Sequence, residues 1–338
     1  MNDLDDDTCR RALTARDARF DGRFFVGVTS TGIYCRPICP AQPKPKNCRF
    51  FPNASLAQQA GFRPCKRCRP EQAPGLTSID FGSTIVAAAV DQIEQNGSMI
   101  VCVSNILRHL GSHVASSATT VQEHVGVSPV QWMQTSRLLM AKRLLTETNL
   151  RMTEVAGVSG FQSVRRMNAL FREQFQMSPT DFRASVGNVH TSRHRRLSMT
   201  LSLGYRPPYA WDEIMRYIRA RIIPGVESMD ASVYRRTVEI GEHSGWLSVS
   251  HDAARDQLIL EIASSLLPVV PAIITRVRKA FDLNASPQSI QAVLSSDRLL
   301  RPSLRRAPGL RLPAAVGRYE TRCERLSVNR FPLSRQQR

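Results

Sequence analysis

Two short cysteine pairs constrain this chain more than any other feature. Three residues separate Cys35 from Cys39, two separate Cys65 from Cys68, and 25 residues lie between the pairs. This spacing is typical of a tetrahedral zinc site in which four thiolates complete a closed shell. The sequence therefore predicts one Zn²⁺ per chain, which would supply folding free energy to a small domain with a thin core. The alternative is a zinc site that only holds the fold together and has no chemistry.

Basic residues flank both cysteine pairs, namely Arg36, Arg63, Lys66 and Arg67. Four thiolates on one Zn²⁺ leave a net negative charge, so these cations indicate an anionic partner, and we expect them to contact DNA phosphates. A solvated basic face is the alternative. The net charge of +18 and the pI near 10.5 favour nucleic acid, ahead of an acidic membrane surface.

The ends and the cysteine content predict a cellular location. No apolar run is long enough to span a membrane, and the acidic N-terminus lacks the apolar segment of a secretory signal. We therefore expect a cytoplasmic, nucleoid-associated protein with no membrane partner. A reducing compartment favours metal binding over disulfides. The cysteines outside the pairs are interpreted as small hydrophobic residues or bystanders: Cys9, Cys48, Cys102 and Cys323.

Local patterns predict three regions of different secondary structure. In the first, a helix leads to strands at 24–28 and 49–51, and a short helix at 55–60 is capped by Ser55 and ended by Gly61. The second is helical and is typical of two helix-turn-helix units joined by a long helix, with helices predicted at 85–93, 103–110, 111–127, 129–146 and 163–175 and a last short helix from 179.

The second recognition helix of this region carries polar side chains opposite its apolar stripe. They are Gln162, Ser163, Arg165, Arg166 and Asn168. These groups can bind phosphates and the edges of guanine or adenine, so we expect them to contact DNA. A solvated helix face is the alternative.

The third region predicts an α+β unit with an antiparallel sheet. Strands are expected at 199–203, 234–240, 245–250 and 257–262, with helices at 212–220, 268–281 and 287–294. The fold class is therefore multidomain α+β: a small four-cysteine zinc domain, an all-α double helix-turn-helix and the antiparallel-sheet domain.

At the level of motifs the chain resembles three known domains. Residues 1–72 resemble the zinc domain of the Ada proteins, regulators of DNA alkylation repair, through Thr31-Gly32-Ile33-Tyr34-Cys35-Arg36-Pro37, Cys39 and Ala60-Gly61-Phe62-Arg63-Pro64-Cys65-Lys66-Arg67-Cys68-Arg69-Pro70. Residues 80–186 resemble an AraC-type double helix-turn-helix. Residues 197–315 resemble the N-terminal domain of AlkA-type 3-methyladenine glycosylases, through Tyr205-Arg206-Pro207-Pro208-Tyr209 and Ile223-Pro224-Gly225-Val226-Glu227. This order is similar to that of fused Ada–AlkA proteins.

The resemblance implies a sensor of alkylation damage. Cys35 would accept a methyl group irreversibly from DNA methylphosphotriesters, in a single turnover. The methylated protein would then bind double-stranded DNA at promoters and activate repair genes, with RNA polymerase as a further partner and no small-molecule cofactor. The chemistry is consistent with the residues, because a zinc-bound thiolate is a competent nucleophile toward a methyl carbon.

Three departures from the family pattern limit this expectation. The first recognition helix, 115–124, lacks the arginines that family members usually carry, and no methylguanine transferase segment follows. The glycosylase family places catalysis in a helix-hairpin-helix domain, which this chain does not reach. We therefore expect no glycosylase activity, and we interpret the basic tail, 316–338, as a truncated or out-of-frame end. A tail that contacts DNA is the alternative.

Three rival functions remain compatible with the sequence. The first is a zinc-containing AraC-type regulator without repair activity. The second is a DNA glycosylase, and the third is an inactive remnant with a poorly folded third domain.

Overall fold

Three units of different secondary structure follow one another in the computed structural model, which describes residues 4–41, 43–75, 119, 122–186 and 198–314. The predicted mixture of a small cysteine-rich unit, helix-turn-helix helices and an antiparallel sheet is confirmed. The helices predicted at 85–93 and 103–110 lie outside the described residues. Of the first recognition helix, 115–124, only residues 119 and 122–124 are described, and these are helical.

The first unit is a four-stranded sheet flanked by short helices. Its elements are α1 (Asp6–Ala15), β1 (Phe25–Val28), β2 (Ile33–Cys35), β3 (Cys48–Phe51), α2 (Ala54–Gln59) and β4 (Arg63–Pro64). The strand order is β3-β1-β2-β4, in which β4 runs parallel to β2 and the other pairs are antiparallel. Two small aromatic clusters, one around Phe24 and one around Tyr34, form its core.

Helix α2 begins one residue earlier than predicted, and its cap differs. The Asn53 side chain accepts a hydrogen bond from the Leu56 amide at 2.9 Å, whereas Ser55 lies buried inside the first turn. The prediction that Ser55 caps this helix is therefore wrong. Asparagine is an equally good cap, and here its amide also donates to Val125 O in the second unit, at 2.9 Å.

The described part of the second unit contains α3 (Pro129–Glu147), α4 (Met152–Val158), α5 (Val164–Phe175) and α6 (Pro179–Val186). Ser128 and Gln131 form a capping box at the start of α3. Gly160 lies in the turn between α4 and α5 at a φ of 81°, which glycine adopts without steric cost. The second helix-turn-helix predicted from the sequence is thus present.

The third unit packs helices on a five-stranded antiparallel sheet in the order β5-β9-β8-β7-β6. The elements are β5 (Ser198–Gly204), α7 (Trp211–Arg219), β6 (Glu227–Asp230), β7 (Val233–Ile240), β8 (His243–Asp252), β9 (Gln257–Ala263), α8 (Val270–Ala280), α9 (Pro287–Leu294) and α10 (Arg301–Arg306). All four predicted strands are confirmed, and the edge strand β6 is an addition.

Ion pairs and a hydrogen bond join the three units around helix α3. Lys142 of α3 pairs with Glu71 at the end of the first unit, and Arg69 pairs with Glu147. Arg143 donates to Ser202 O in β5 of the third unit. Helix α3 therefore lies between the other two units.

Among the described helices, none has both the length and the apolar character that crossing a membrane requires.

Candidate metal centre

The parallel pairing of β2 with β4 brings the two cysteine pairs together. Ile33 lies opposite Arg63 and Tyr34 opposite Pro64, so the next position on each strand is a cysteine. The Cys65 amide donates to Tyr34 O at 2.9 Å and fixes this register. Parallel strands end at the same edge of a sheet, and Cys35 and Cys65 therefore meet there.

The four sulfurs form one compact, buried cluster. The Sγ atoms of Cys35, Cys39, Cys65 and Cys68 all lie within 4.8 Å of one another. A tetrahedral Zn²⁺ with Zn–S bonds of about 2.3 Å needs sulfurs roughly 3.8 Å apart, so the donor set fits a zinc ion. Hydrogen bonds within the cluster raise the pKa of Cys35 and lower the pKa of Cys65, because neighbouring thiols share protons. A divalent cation at the centre favours the thiolate form of all four.

Backbone amides distinguish the four sulfurs. Arg36 N–H donates to Cys68 Sγ and Arg67 N–H to Cys65 Sγ, each at 3.3 Å. The pKa of Cys39 is lowered first by its hydrogen bond with Cys35, and a backbone hydrogen bond from Ala41 adds to the effect. Among the described residues, no backbone amide donates to the Cys35 sulfur. Such bonds withdraw electron density from a ligand, so the Cys35 sulfur keeps more of its charge than the sulfurs of Cys65 and Cys68.

A groove of about 660 Å³ opens beside the cluster. Cys35 and Cys65 line it, whereas Cys39 and Cys68 do not. Its lining is largely apolar and includes Val28, Ile33, Pro43, Pro64, Phe175 and Met177. Four basic residues also line it, and we call them its basic rim: Lys44, Arg63, Lys66 and Arg67. Within the described part of the chain, Cys35 is therefore the one ligand that both faces the groove and accepts no amide.

Arg36 does not reach this rim. It is buried, with 8% exposure, and its guanidinium binds the buried carboxylate of Asp21, with Nε 2.8 Å from Oδ1. Its Nη1 also donates to Cys68 O at 3.1 Å. The expectation that Arg36 contacts a phosphate is thus corrected, since this side chain supports the cluster from inside.

The other predicted phosphate contacts lie at the surface. Lys66 and Arg67 are exposed, and Arg63 is half-buried. Lys66 Nζ also lies 2.9 Å from Ser185 Oγ and 5.0 Å from the centre of the Phe182 ring, both on α6. A phosphate contact at these three residues stays a prediction.

The predicted base-reading residues cluster at the start of α5. Gln162, Ser163, Arg165 and Arg166 are exposed and Asn168 is half-buried. Ser163 has a second role, because its Oγ accepts a hydrogen bond from the Arg166 amide at 3.2 Å and caps the helix. The basic, polar face predicted from the sequence is present, and its contact with DNA stays a prediction.

Family models divide the chain in the same order as its motifs. The metal binding domain of Ada matches residues 8–71, a helix-turn-helix domain matches 106–185, and the AlkA N-terminal domain matches 200–317. Each of the three units is thus similar to one of these domain families. Its three units are accordingly named the Ada-type, helix-turn-helix and AlkA-type domains.

One relative matches most of the chain, and another matches its first unit alone. The chain is 34% identical over 320 residues to the probable bifunctional transcriptional activator/DNA repair enzyme AlkA of Mycobacterium tuberculosis, which covers 94% of this chain and 64% of that protein. The chain thus spans less than two-thirds of that relative. It is 51% identical over 71 residues to the bifunctional transcriptional activator/DNA repair enzyme Ada of Escherichia coli, covering 21% of this chain and 20% of that one. A solved structure of the DNA methyl phosphotriester repair domain of E. coli Ada is 48% identical, covers 21% of this chain and 77% of that chain, and has a TM-score of 0.19.

Proposed function

We propose that Cys35 accepts a methyl group from DNA methylphosphotriesters, and that the methylated protein binds promoters through its helix-turn-helix domain and activates repair genes. The observation that carries the proposal is the position of Cys35. Among the described residues, it is the cysteine of the cluster that lines the groove and accepts no backbone amide. The name of the E. coli relative, a transcriptional activator and DNA repair enzyme, supports it.

The transfer is a direct displacement at the methyl carbon. The Cys35 sulfur forms an S–C bond while the C–O bond of the ester breaks, and the electron pair stays on the phosphate oxygen. The products are an S-methyl thioether and an ordinary phosphodiester anion. A bound Zn²⁺ keeps the sulfur ionised near neutral pH. Because the thioether is stable, each chain reacts once.

The groove suits this substrate in shape and charge. Methylation removes the negative charge of the phosphate, so the uncharged ester fits apolar walls such as Val28 and Ile33. The flanking phosphates keep their charges and would meet the basic rim at Lys66 and Arg67. An unmodified phosphodiester would have to be desolvated to enter the groove.

Methyl transfer also changes the charge of the centre. Four thiolates on Zn²⁺ repel DNA phosphates, and conversion of Cys35 to a thioether removes one negative charge. At a hydrated interface, the loss of this charge is worth about one to two kcal/mol, and about 1.4 kcal/mol corresponds to a tenfold change in affinity for DNA.

Double-stranded DNA is thus the partner in both steps, and we propose one Zn²⁺ per chain, a cytoplasmic location and RNA polymerase as the partner in activation.

Mass spectrometry of the intact chain tests the proposal. The full-length protein, with its zinc content measured, is incubated with methylated double-stranded DNA. We expect one added methyl per chain, located on Cys35, and none on the C35S variant. C48S is the matched control, because Cys48 is buried outside the cluster and should leave the transfer unchanged.

Other results would favour the rival functions. Methylation of C35S, or of Cys65 in the wild type, would refute the assignment of the nucleophile. A zinc-loaded wild type that binds DNA but takes no methyl would indicate a regulator without repair activity. Release of free 3-methyladenine would indicate a glycosylase.

A further inference from the structure

Arg206 of the AlkA-type domain lies at the junction with the Ada-type domain. Its side chain is fully buried, with 0% exposure. The guanidinium donates to main-chain oxygens of three separate segments: Nε to Asp21 O at 2.8 Å, Nη2 to Gly75 O at 2.8 Å and Nη1 to Asn284 O at 2.5 Å. One side chain of the third unit therefore binds the Asp21 and Gly75 segments, and the first of these leads to the metal centre.

The contacts continue from Asp21 to the cluster. The Asp21 carboxylate accepts two hydrogen bonds from the Arg36 guanidinium, and both residues are buried. Arg36 in turn donates its amide to Cys68 Sγ at 3.3 Å and Nη1 to Cys68 O at 3.1 Å. A continuous series of contacts thus runs from Arg206 through Asp21 and Arg36 to Cys68.

Two glycines show how tightly the chain packs at this junction. A Cβ at Gly204, the last residue of β5, would lie 2.7 Å from Gln72 O and 3.5 Å from Arg36 Nη2. A Cβ at Gly22 would collide with Pro74 O. Neither backbone has room for a side chain, and packed interiors transmit small displacements, so a shift of the Asp21 segment would reach Arg36.

We propose that Arg206 is a positioning residue for the metal centre. Through Asp21 it holds Arg36 against Cys68, and the AlkA-type domain thereby contributes to the geometry of a site in which it supplies no ligand. Loss of the guanidinium would leave buried carbonyl groups without their donor and release the Asp21 segment. The inference concerns the metal centre of the proposed function, but its test needs no methylated DNA.

The test compares R206M with a matched variant of the full-length, metal-loaded chain. R236M is that control: Arg236 is also a buried arginine of the AlkA-type domain, but it pairs with Glu227 inside that domain. Two properties are measured, the rate of zinc release to a chromophoric chelator and the ligand-field spectrum of the Co²⁺-substituted protein. The spectrum reports the ligand geometry at the metal, which a general loss of stability does not alter.

We expect R206M to release zinc about tenfold faster than the wild type and to change the Co²⁺ spectrum, because the Asp21 segment that positions Arg36 loses a buried, charged hydrogen-bond donor. R236M should lower the unfolding temperature and leave both properties unchanged. A wild-type release rate and spectrum in R206M would overturn the proposal, as would equal changes in R236M.

A second variant covers the case in which R206M does not fold. D21N keeps the carbonyl that receives Arg206 and weakens only the link to Arg36, so zinc release should again be faster. An unchanged rate and spectrum in D21N would overturn the proposal. A wild type that accepts no methyl would refute the proposed function and leave this comparison intact.

Discussion

Replacing Lys142 with methionine should weaken the attachment of helix α3 to the Ada-type domain by about 3–4 kcal/mol. Lys142 forms an ion pair with Glu71, and the side chains of both residues are only 1% exposed. Burial alone would raise the pKa of Glu71, but the charges of Lys142 and Arg69 outweigh it and hold that pKa below its ordinary value. Removal of the lysine leaves the buried Glu71 carboxylate with only the charge of Arg69 to offset the cost of its burial.

The magnitude follows from two limits. Breaking a buried pair by removing one partner costs about 3–5 kcal/mol. Arg69 remains, with Nε 3.2 Å from the carboxylate, but its side chain is 21% exposed and its charge is partly screened. Glu71 can also take up a proton, which at pH 7 costs about 3.7 kcal/mol for an ordinary glutamate pKa of about 4.3. Protonation therefore caps the electrostatic part of the loss.

The contribution of Glu71 to the stability of the fold changes with pH in opposite directions in the wild type and in K142M. In the wild type the folded-state pKa of Glu71 is depressed, so the pair stabilises the fold above the unfolded-state pKa and loses its effect as the pH falls below it. In K142M we expect that pKa to be raised, and the variant should regain stability between pH 7 and pH 5. The difference between the two proteins should shrink over this window.

Native-state hydrogen exchange measures the effect locally, which suits a chain of three domains that does not unfold in one step. Protection of the α3 amides should fall by about 10²- to 10³-fold at pH 7 and by less at pH 5. R216M is the control, because the Arg216–Glu213 pair is exposed and worth at most about 0.5 kcal/mol. Unchanged α3 protection in K142M, or a loss independent of pH, would refute the reasoning.

Three further predictions concern single side chains. N53A should destabilise the Ada-type domain by about 0.5–2 kcal/mol in thermal unfolding, while S55A, which removes no cap, should cost less. R36M should lower zinc affinity about 10- to 100-fold in a chelator competition and leave the salt dependence of DNA binding unchanged, since Arg36 is buried. K66M should instead reduce the slope of log affinity against log salt by about one, and an unchanged slope would remove Lys66 from the phosphate contacts.

The metal centre was predictable because its signal is local. Four cysteines at short spacings restrict the ligands to one arrangement, and no distant partner has to be identified. The pairing of β2 with β4 is consistent with this, since a shared metal requires the ends of both segments to meet. The helices of the second helix-turn-helix were predictable for a similar reason, because each has an apolar stripe and a glycine or a capping residue at its boundary.

Other features depend on contacts that the sequence does not reveal. Asn53 and Ser55 are both competent caps, and a contact that favours Asn53, its amide with Val125 O, comes from a residue 72 positions away. Strand β6 is short and lies at the sheet edge with polar residues at both ends, so alternation alone does not distinguish it from a turn. The groove at Cys35 also requires Phe175 and Met177, which come from another domain.

The basic residues show why net charge is a poor guide to individual contacts. A surplus of +18 indicates a polyanionic partner, but it does not identify the cations that face it. Arg36, Lys142 and Arg206 are buried and committed to partners inside the protein. Arg36 looks like its neighbours Arg63 and Lys66 in sequence, and only the buried carboxylate of Asp21 distinguishes it. A cation beside a metal ligand therefore has two possible roles, to attract the substrate or to hold the ligand, and its burial decides between them.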